Sequence, residues 1–176
     1  NHLSNRFKQV VYHKDTPFST TPDLTDPFVY VDEFFWNLGR SFAMDIFGDP
    51  NVPTFVTLDN EPELWPHTHA EIQSAPPGAD DYIQRSIELS SALKKGSPSV
   101  QIFGPAHYGF LGLYNWQMAA GFNAGYWFTD KYLGDMKAAS DAAGHRLLDV
   151  YDFHWYSEAR VDGKRIGGYT NAVLSN

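Results

Sequence analysis

The sequence predicts an α/β fold built on a parallel sheet. Short runs rich in β-forming residues alternate with segments of helical period, in the order helix, strand, helix, strand, helix, strand. Such alternation is typical of parallel strands joined by right-handed helical crossovers. Three strands can neither close a barrel nor cover their own edges. We therefore expect the chain to be a fragment of a larger domain.

The three helices follow from the spacing of apolar residues. The first is predicted over 29–47, where apolar side chains recur every three or four positions, with Asp26 as N-cap and Pro27 in the first turn. The second is predicted over 79–95, with acidic residues at its start and lysines at its end. The third is predicted over 126–143, before a glycine that ends it.

The strands are short apolar runs bounded by proline or glycine. They are predicted over 54–58, 100–103 and 147–154. The second is expected to stop at Gly104 and Pro105. A further short strand is predicted at 10–12, and the stretch 64–78 is predicted to be irregular.

Composition excludes several classes of protein. Thirteen basic against twenty-one acidic residues give a net charge of −8, which argues against nucleic acid and anionic membranes as partners. No apolar run approaches the ~20 residues of a membrane span. The absence of cysteine removes thiolate metal sites and cysteine nucleophiles from this segment. Aromatic residues make up 16% of the chain, an excess common in proteins that stack on sugars.

Polar and aromatic side chains follow each of the three strands. In chain order they are Asn60 and Glu61, then His107 and Tyr108, then His154, Trp155 and Tyr156. The carboxyl ends of parallel strands share one edge, where α/β enzymes place their chemistry. We therefore expect a sugar-binding cleft on the top face of a (β/α)8 barrel. Taken alone, Asp59–Pro62 also fits a polar turn without function.

Glu61 is the candidate proton donor for glycoside hydrolysis. That reaction needs one carboxylic acid at the leaving oxygen and a second carboxylate across the sugar ring. Asn60 would donate to a sugar hydroxyl. A structural role for Glu61, in helix capping or pairing with Arg85, is the alternative.

The second carboxylate is harder to place. Glu63 lies two residues from Glu61 and is expected to share its local face, so it would not bracket a sugar. Glu158 follows the third strand by several residues and is within reach of the cleft. The more economical hypothesis places the partner beyond Asn176.

Other candidates would bind or orient the substrate. Trp65, Tyr108 and Trp155 are predicted sugar-binding side chains, and His67 is predicted to line the cleft. His154 and Tyr156 share a strand face, so both are expected to point into the cleft and to support catalysis by orienting the nucleophile, although a core histidine is the alternative for His154. His67 and His69 are spaced as in some metal sites, but we predict no metal there. Trp36 and Trp127 are expected in the core.

Three separated stretches resemble glycoside hydrolase family 44, which comprises bacterial endo-β-1,4-glucanases and xyloglucanases. They are Thr57–His69, Phe103–Phe110 and Arg146–Ala159, and the helix around Tyr30–Phe34 also fits. The stretches run in family order. Together they cover nearly the whole chain after about residue 20.

The resemblance implies a (β/α)8 TIM barrel with an added β-sandwich domain. Residues 1–176 would form roughly barrel strands 4 to 6 with flanking helices. It implies hydrolysis of internal β-1,4-glucan bonds with retention, with Glu61 as general acid/base and Asn60 as the asparagine before it. The family's nucleophile is a glutamate in a later Thr-Glu-Tyr-like motif, which this chain lacks.

The resemblance also sets expectations for partners and location. The substrate would be a β-glucan polysaccharide such as cellulose or xyloglucan, the protein would be secreted, and the fragment alone would be inactive. No cofactor is required; a structural calcium ion occurs in the family, but the sequence assigns no ligands to one. A non-catalytic polysaccharide-binding protein is the main alternative. A metal-dependent hydrolase using His67 and His69 is a further one.

Overall fold

The computed structural model describes residues 6–44, 46–118, 122, 125–156 and 160–165, and it confirms the α/β class. The elements in chain order are β1 (Gln9–Val11), β2 (Phe28–Tyr30), α1 (Val31–Arg40), β3 (Phe55–Thr57), α2 (Trp65–Thr68), α3 (Ala79–Gly96), β4 (Gln101–His107), α4 (Phe110–Asn115), α5 (Phe128–Ala143), β5 (Val150–Phe153), β6 (Arg160–Val161) and β7 (Lys164–Arg165). Two 3-10 turns lie at Pro62–Leu64 and Trp116–Met118.

The central sheet has the order β3-β4-β5, and both pairings are parallel as predicted. Val56 pairs with Ile102, and Phe103 pairs with Val150. β1 and β2 form a separate parallel pair, and β6 and β7 form a short antiparallel one. Because the three central strands run in the same direction, their carboxyl ends meet at one edge.

The first helix is shorter than predicted at both ends. Residues 28–30 pair with β1 as a strand, and Asp26 accepts hydrogen bonds from the Phe28 backbone and the Tyr30 hydroxyl instead of capping a helix. At the other end the chain turns after Arg40, which lets Phe47 fold back and stack on Phe35 with ring centroids 4.3 Å apart. Long-range pairing and packing thus override the helical period at both ends.

The second central strand is longer than predicted. β4 continues through Gly104 and Pro105 to His107, because β5 pairs with its second half. Leu58 approaches Gly104 so closely that a Cβ there would lie 2.8 Å from its Cδ1. The stretch 64–78, which was predicted to be irregular, begins with the short helix α2, and another short helix, α4, follows β4.

The main core packs α3 and α5 against the sheet around Trp116. The Trp116 ring is fully buried, stacks between Tyr82 and Phe128, and donates its indole N–H to the Pro77 carbonyl at 2.8 Å. The prediction for Trp127 was wrong: it precedes α5 in an extended conformation and is 44% exposed. Trp36 is only half-buried.

A second cluster joins α1 and α3 to the first two central strands. Its buried members are Phe35, Leu58, Leu93, Val100 and Ile102. They come from α1, α3, β4 and the residues that adjoin β3 and β4, so the cluster fixes how β3 and β4 lie against the two helices.

Lys94 and Asp149 tie α3 to two strands. The nearly buried Lys94 ammonium donates to the Asp149 carboxylate at 2.8 Å and to the Val100 carbonyl at 2.6 Å. Asp149 also accepts from the Ile102 N–H at 2.8 Å. Removing the negative charge with Asp149→Asn leaves a buried ammonium unpaired, and we expect a loss of about 3–5 kcal/mol in the free energy of unfolding.

Thermal or denaturant unfolding of Asp149→Asn measures this loss. The matched control is Asp141→Asn, which breaks an exposed i, i+4 pair with Lys137 on α5 and should leave stability unchanged. Equal stability of the two variants would show that the Lys94 pair contributes nothing.

Candidate active site

Glu61 lies four residues after the end of β3, in a strained backbone conformation. Its φ of 48° and ψ of 56° lie in the left-handed region, which is unfavourable for a residue with a Cβ and is often found at functional sites. The Glu61 N–H donates to the Ala106 carbonyl at 2.9 Å, and the Glu61 carbonyl accepts from the Leu64 N–H at 2.9 Å. These two bonds hold the turn that presents the Glu61 side chain.

A bulge in β4 supplies the first of those bonds. The pairing with β5 shifts between Pro105 and His107, and Ala106 between them has φ of 53°. The Ala106 N–H donates a hydrogen bond to the Asp152 carboxylate at 2.8 Å. Bulges redirect strand ends beside active sites, and here the bulge turns the Ala106 carbonyl towards Glu61.

The third strand end supplies two donors to the Glu61 carboxylate. His154 Nδ1 donates to Oε1 at 2.5 Å and the Tyr156 hydroxyl donates to the same oxygen at 3.0 Å. The Glu61 side chain is 17% exposed, so one part of the carboxylate still reaches solvent. The structure therefore brings Glu61, His154 and Tyr156 together, whereas Arg85 pairs with Asp81 instead.

Glu63 and His107 form a buried pair beneath this turn. Glu63 Oε1 lies 2.5 Å from His107 Nδ1, both side chains are fully buried, and Glu63 Oε2 accepts from the Tyr108 N–H at 3.2 Å. The expectation that Glu63 shares a face with Glu61 was wrong, because the 3-10 turn rotates Glu63 into the interior.

His107 also departs from its expected place. Its ring contacts Trp116, Phe128 and Tyr151 edge to face, away from the cleft. Burial raises the pKa of Tyr151, with a smaller contribution from the charge of Glu63. The Tyr151 hydroxyl therefore stays protonated and pairs with Thr129 at 2.9 Å. The alternation of side chains along a regular strand gave no sign of this placement, since it depends on the bulge.

An aromatic cavity of about 550 Å³ adjoins Glu61 on the side of Tyr156. It is lined by Tyr108, Gly109, Phe110, Leu111, Gln117, Trp155 and Tyr156. Trp155 is 68% exposed, and the Tyr108 ring lies 5.8 Å from that of Tyr156. The cavity has the size and aromatic lining of a small-molecule subsite and holds two of the three predicted sugar-binding side chains.

The third, Trp65, lies elsewhere. It packs edge to face on Tyr82 at 5.8 Å and lines a separate cavity of about 320 Å³ with Tyr12 and Asp59. Asp59 also accepts from the backbone N–H of the exposed Asn60 at 2.6 Å.

The two histidines of the metal hypothesis sit at the surface. His67 is exposed on α2, and the exposed His69 contacts the Thr68 hydroxyl at 2.8 Å. In the part of the chain that the structure describes, no three His, Asp or Glu side chains converge as metal ligands would. Across the same ranges no helix combines the length and apolarity needed to cross a bilayer. Glu158 lies outside the described residues.

Comparison with known proteins places this geometry in a family. The model of glycoside hydrolase family 44 matches residues 2–159. The chain is 42% identical over 170 residues to a protein named beta-mannanase/endoglucanase A from Caldicellulosiruptor saccharolyticus, covering 93% of this chain and 12% of that protein.

Solved structures agree in fold. A family 44 xyloglucanase from Paenibacillus polymyxa superposes with a TM-score of 0.82 at 41% identity, over 92% of this chain and 32% of its own. A family 44 endoglucanase from Clostridium thermocellum gives a TM-score of 0.81 at 42% identity, over 94% of this chain and 33% of its own. The chain thus spans about a third of each solved relative. It belongs to glycoside hydrolase family 44.

Proposed function

We propose that this chain is the central part of the catalytic domain of a retaining endo-β-1,4-glucanase or xyloglucanase. In this proposal residues 1–176 contribute about strands 4 to 6 of a (β/α)8 barrel, and a β-sandwich domain lies outside the chain. The observation that carries the proposal is the Glu61 carboxylate, held by His154 and Tyr156 beside an aromatic cavity. The names of the relatives, endoglucanase and xyloglucanase, support the same activity and substrate class.

Glu61 acts as general acid and then as general base. Both described hydrogen bonds go to Oε1, so we assign the reacting proton to Oε2. In the first step that proton moves to the glycosidic oxygen, the bond to the sugar C1 breaks, and the nucleophile bonds to C1. In the second step the Glu61 carboxylate removes a proton from a water that attacks C1, which releases the sugar and restores both groups.

His154 and Tyr156 stabilise the carboxylate that remains after the proton leaves. A carboxylate accepts hydrogen bonds only, so the imidazole Nδ1–H and the phenol O–H are the donors. They also fix the direction of the Glu61 side chain, and general acid catalysis depends on that geometry. This role differs from the predicted support of a nucleophile, because both groups contact the acid itself.

Substrate binding falls to the aromatic cavity and its neighbours. Trp155 and Tyr108 present ring surface to a sugar, and Asn60 would donate a hydrogen bond to a sugar hydroxyl. His67 would contact a more distant part of the glucan. A polymeric glucan lies outside the cell, so we propose that the enzyme is secreted. No cofactor is needed for the two steps, since every proton and bond is accounted for by two carboxylates and water.

Hydrolysis in the presence of a chelator separates this function from its alternatives. The full-length protein that contains this chain, incubated with β-1,4-glucan and excess EDTA, should release reducing sugars whose first-formed anomer, followed by proton NMR, is β. Binding to glucan without new reducing ends would favour the non-catalytic alternative. Loss of turnover that Zn²⁺ restores and Ca²⁺ does not would favour the hydrolase based on His67 and His69, because histidine nitrogens bind Zn²⁺ whereas Ca²⁺ prefers oxygen ligands.

A further inference from the structure

The buried Glu63–His107 pair has no part in the two chemical steps, yet it lies directly beneath the turn that carries Glu61. Burying an ion pair is costly unless geometry and further hydrogen bonds compensate. Here the Glu63 carboxylate accepts from both His107 and the Tyr108 N–H. In the described part of the chain the other imidazole nitrogen of His107 is buried without a partner. The orientation of that ring therefore depends on Glu63.

The pair links all three strand ends that form the site. Glu63 belongs to the 3-10 turn that begins directly after Glu61. His107 ends β4, and its carbonyl accepts from the His154 N–H at 2.8 Å. Glu63 is thus joined through His107 to His154, which donates a hydrogen bond to Glu61. Its second oxygen fixes Tyr108, whose ring packs on Tyr156.

Close packing against α4 holds the pair in place. A Cβ added at Gly112 would overlap the Glu63 carboxylate and lie 2.8 Å from His107 Nδ1. The site under the helix therefore has no room for any other side chain. Solvent and substrate cannot reach the Glu63 carboxylate, which excludes it as a nucleophile.

We propose that Glu63 and His107 are positioning residues that set the alignment of Glu61 with His154 and Tyr156. This inference rests on the proposed function of Glu61. Through the hydrogen bonds just described, the pair fixes the turn that carries the acid and the strand end that carries its donors, both relative to β4. Its loss shifts the acid from the leaving oxygen. In Glu63→Gln the side-chain amide oxygen can still accept the Tyr108 N–H, so the sugar-binding ring of Tyr108 stays in place.

Glu63→Gln in the full-length protein tests the proposal with two substrates. Misplacing a catalytic group by about 1 Å costs roughly 100-fold, so we expect kcat on β-glucan to fall about 100-fold with KM changed less than about twofold. With dinitrophenyl β-cellobioside, kcat/KM reports a first step whose leaving group needs no proton. That value should fall less than about threefold.

Comparing the losses on the two substrates decides whether Glu63 positions the acid. Equal losses on both would show general disruption of the site and overturn the proposal, as would unchanged turnover of β-glucan. The function of Glu61 is tested separately by Glu61→Gln. If that variant is inactive on glucan while Glu63→Gln shows no difference between substrates, only the positioning role fails.

Gly112→Ala perturbs the same pair without changing its chemistry. It pushes on Glu63 and His107 from α4 and should reproduce the selective loss on β-glucan; it decides the question by the same comparison if Glu63→Gln does not fold. The matched control is Gly134→Ala on the exposed side of α5, where an added Cβ meets nothing within 4 Å. That control should retain full activity, since alanine is favoured over glycine within a helix. Full β-glucan turnover in Gly112→Ala would contradict the proposal.

Discussion

Full-length Glu61→Gln is expected to lose nearly all turnover of β-glucan while it still binds the polysaccharide. The amide has the shape of the acid but cannot deliver a proton to the glycosidic oxygen or take one from water. General acid/base catalysis contributes about 10²–10⁴-fold, and Glu61 serves in both steps, so we expect a loss at the upper end of that range. Reducing-sugar release and affinity electrophoresis in glucan gels measure the two properties.

The control for this variant is Glu88→Gln. Glu88 is an exposed residue on α3, and its carboxylate accepts a hydrogen bond from the Gln84 side chain. Glu88→Gln should therefore match the unaltered protein in both turnover and polysaccharide binding. Retention of most β-glucan turnover by Glu61→Gln would contradict the assignment of the acid. Loss of polysaccharide binding together with turnover would show that Glu61 holds the substrate and does not act on it.

Purified residues 1–176 are expected to show no turnover at all. A retaining mechanism needs a second carboxylate about 5–5.5 Å from the first. Glu63 is buried against His107, and Asp59 holds the Asn60 backbone and lines the other cavity. Neither side chain is therefore placed to act as the nucleophile, which supports the proposal of a nucleophile on a later strand of the full-length protein.

The isolated chain should also be poorly soluble. β3 and β5 are the outer strands of the central sheet in the described residues, and unpaired edges favour association. Phe55 on β3 and Phe153 on β5 are 56% and 43% exposed. Sedimentation compares its association with that of the full-length protein. Glucan hydrolysis by residues 1–176 that disappears with Glu61→Gln in the same chain would refute the proposal that the nucleophile lies outside these residues.

The order of elements could be predicted from the sequence because it follows from local periodicity. α3 and α5 occupy nearly their predicted ranges, since one face of each packs on the sheet and imposes a helical spacing of apolar residues. The first helix was predicted too long. Its ends depend on pairing of Phe28–Tyr30 with β1 and on packing of Phe47 against Phe35, which no local pattern reveals.

The candidate site divides in the same way. Glu61, His154 and Tyr156 could be grouped because parallel strands bring their carboxyl ends together. The Glu63–His107 pair could not be predicted, because it depends on a 3-10 turn and on a bulge at Ala106.

The burial of two tryptophans also could not be predicted from helical spacing. Trp116 fills the core and Trp127 lies at the surface, although the helical spacing favoured Trp127 as the buried one. The reason is that Trp127 precedes the first turn of α5 in an extended conformation. Because α5 begins at Phe128, one residue after Trp127, the helical spacing does not apply to the Trp127 side chain.

Azide rescue of full-length Glu61→Ala tests the role of Glu61 most directly. Dinitrophenyl β-cellobioside forms the glycosyl-enzyme without an acid, and azide, which needs no general base, can then replace water as the attacking group. We expect azide to accelerate turnover and the product to be β-cellobiosyl azide. No acceleration by azide, or an α-configured azide product, would contradict Glu61 as the general acid/base of a retaining enzyme.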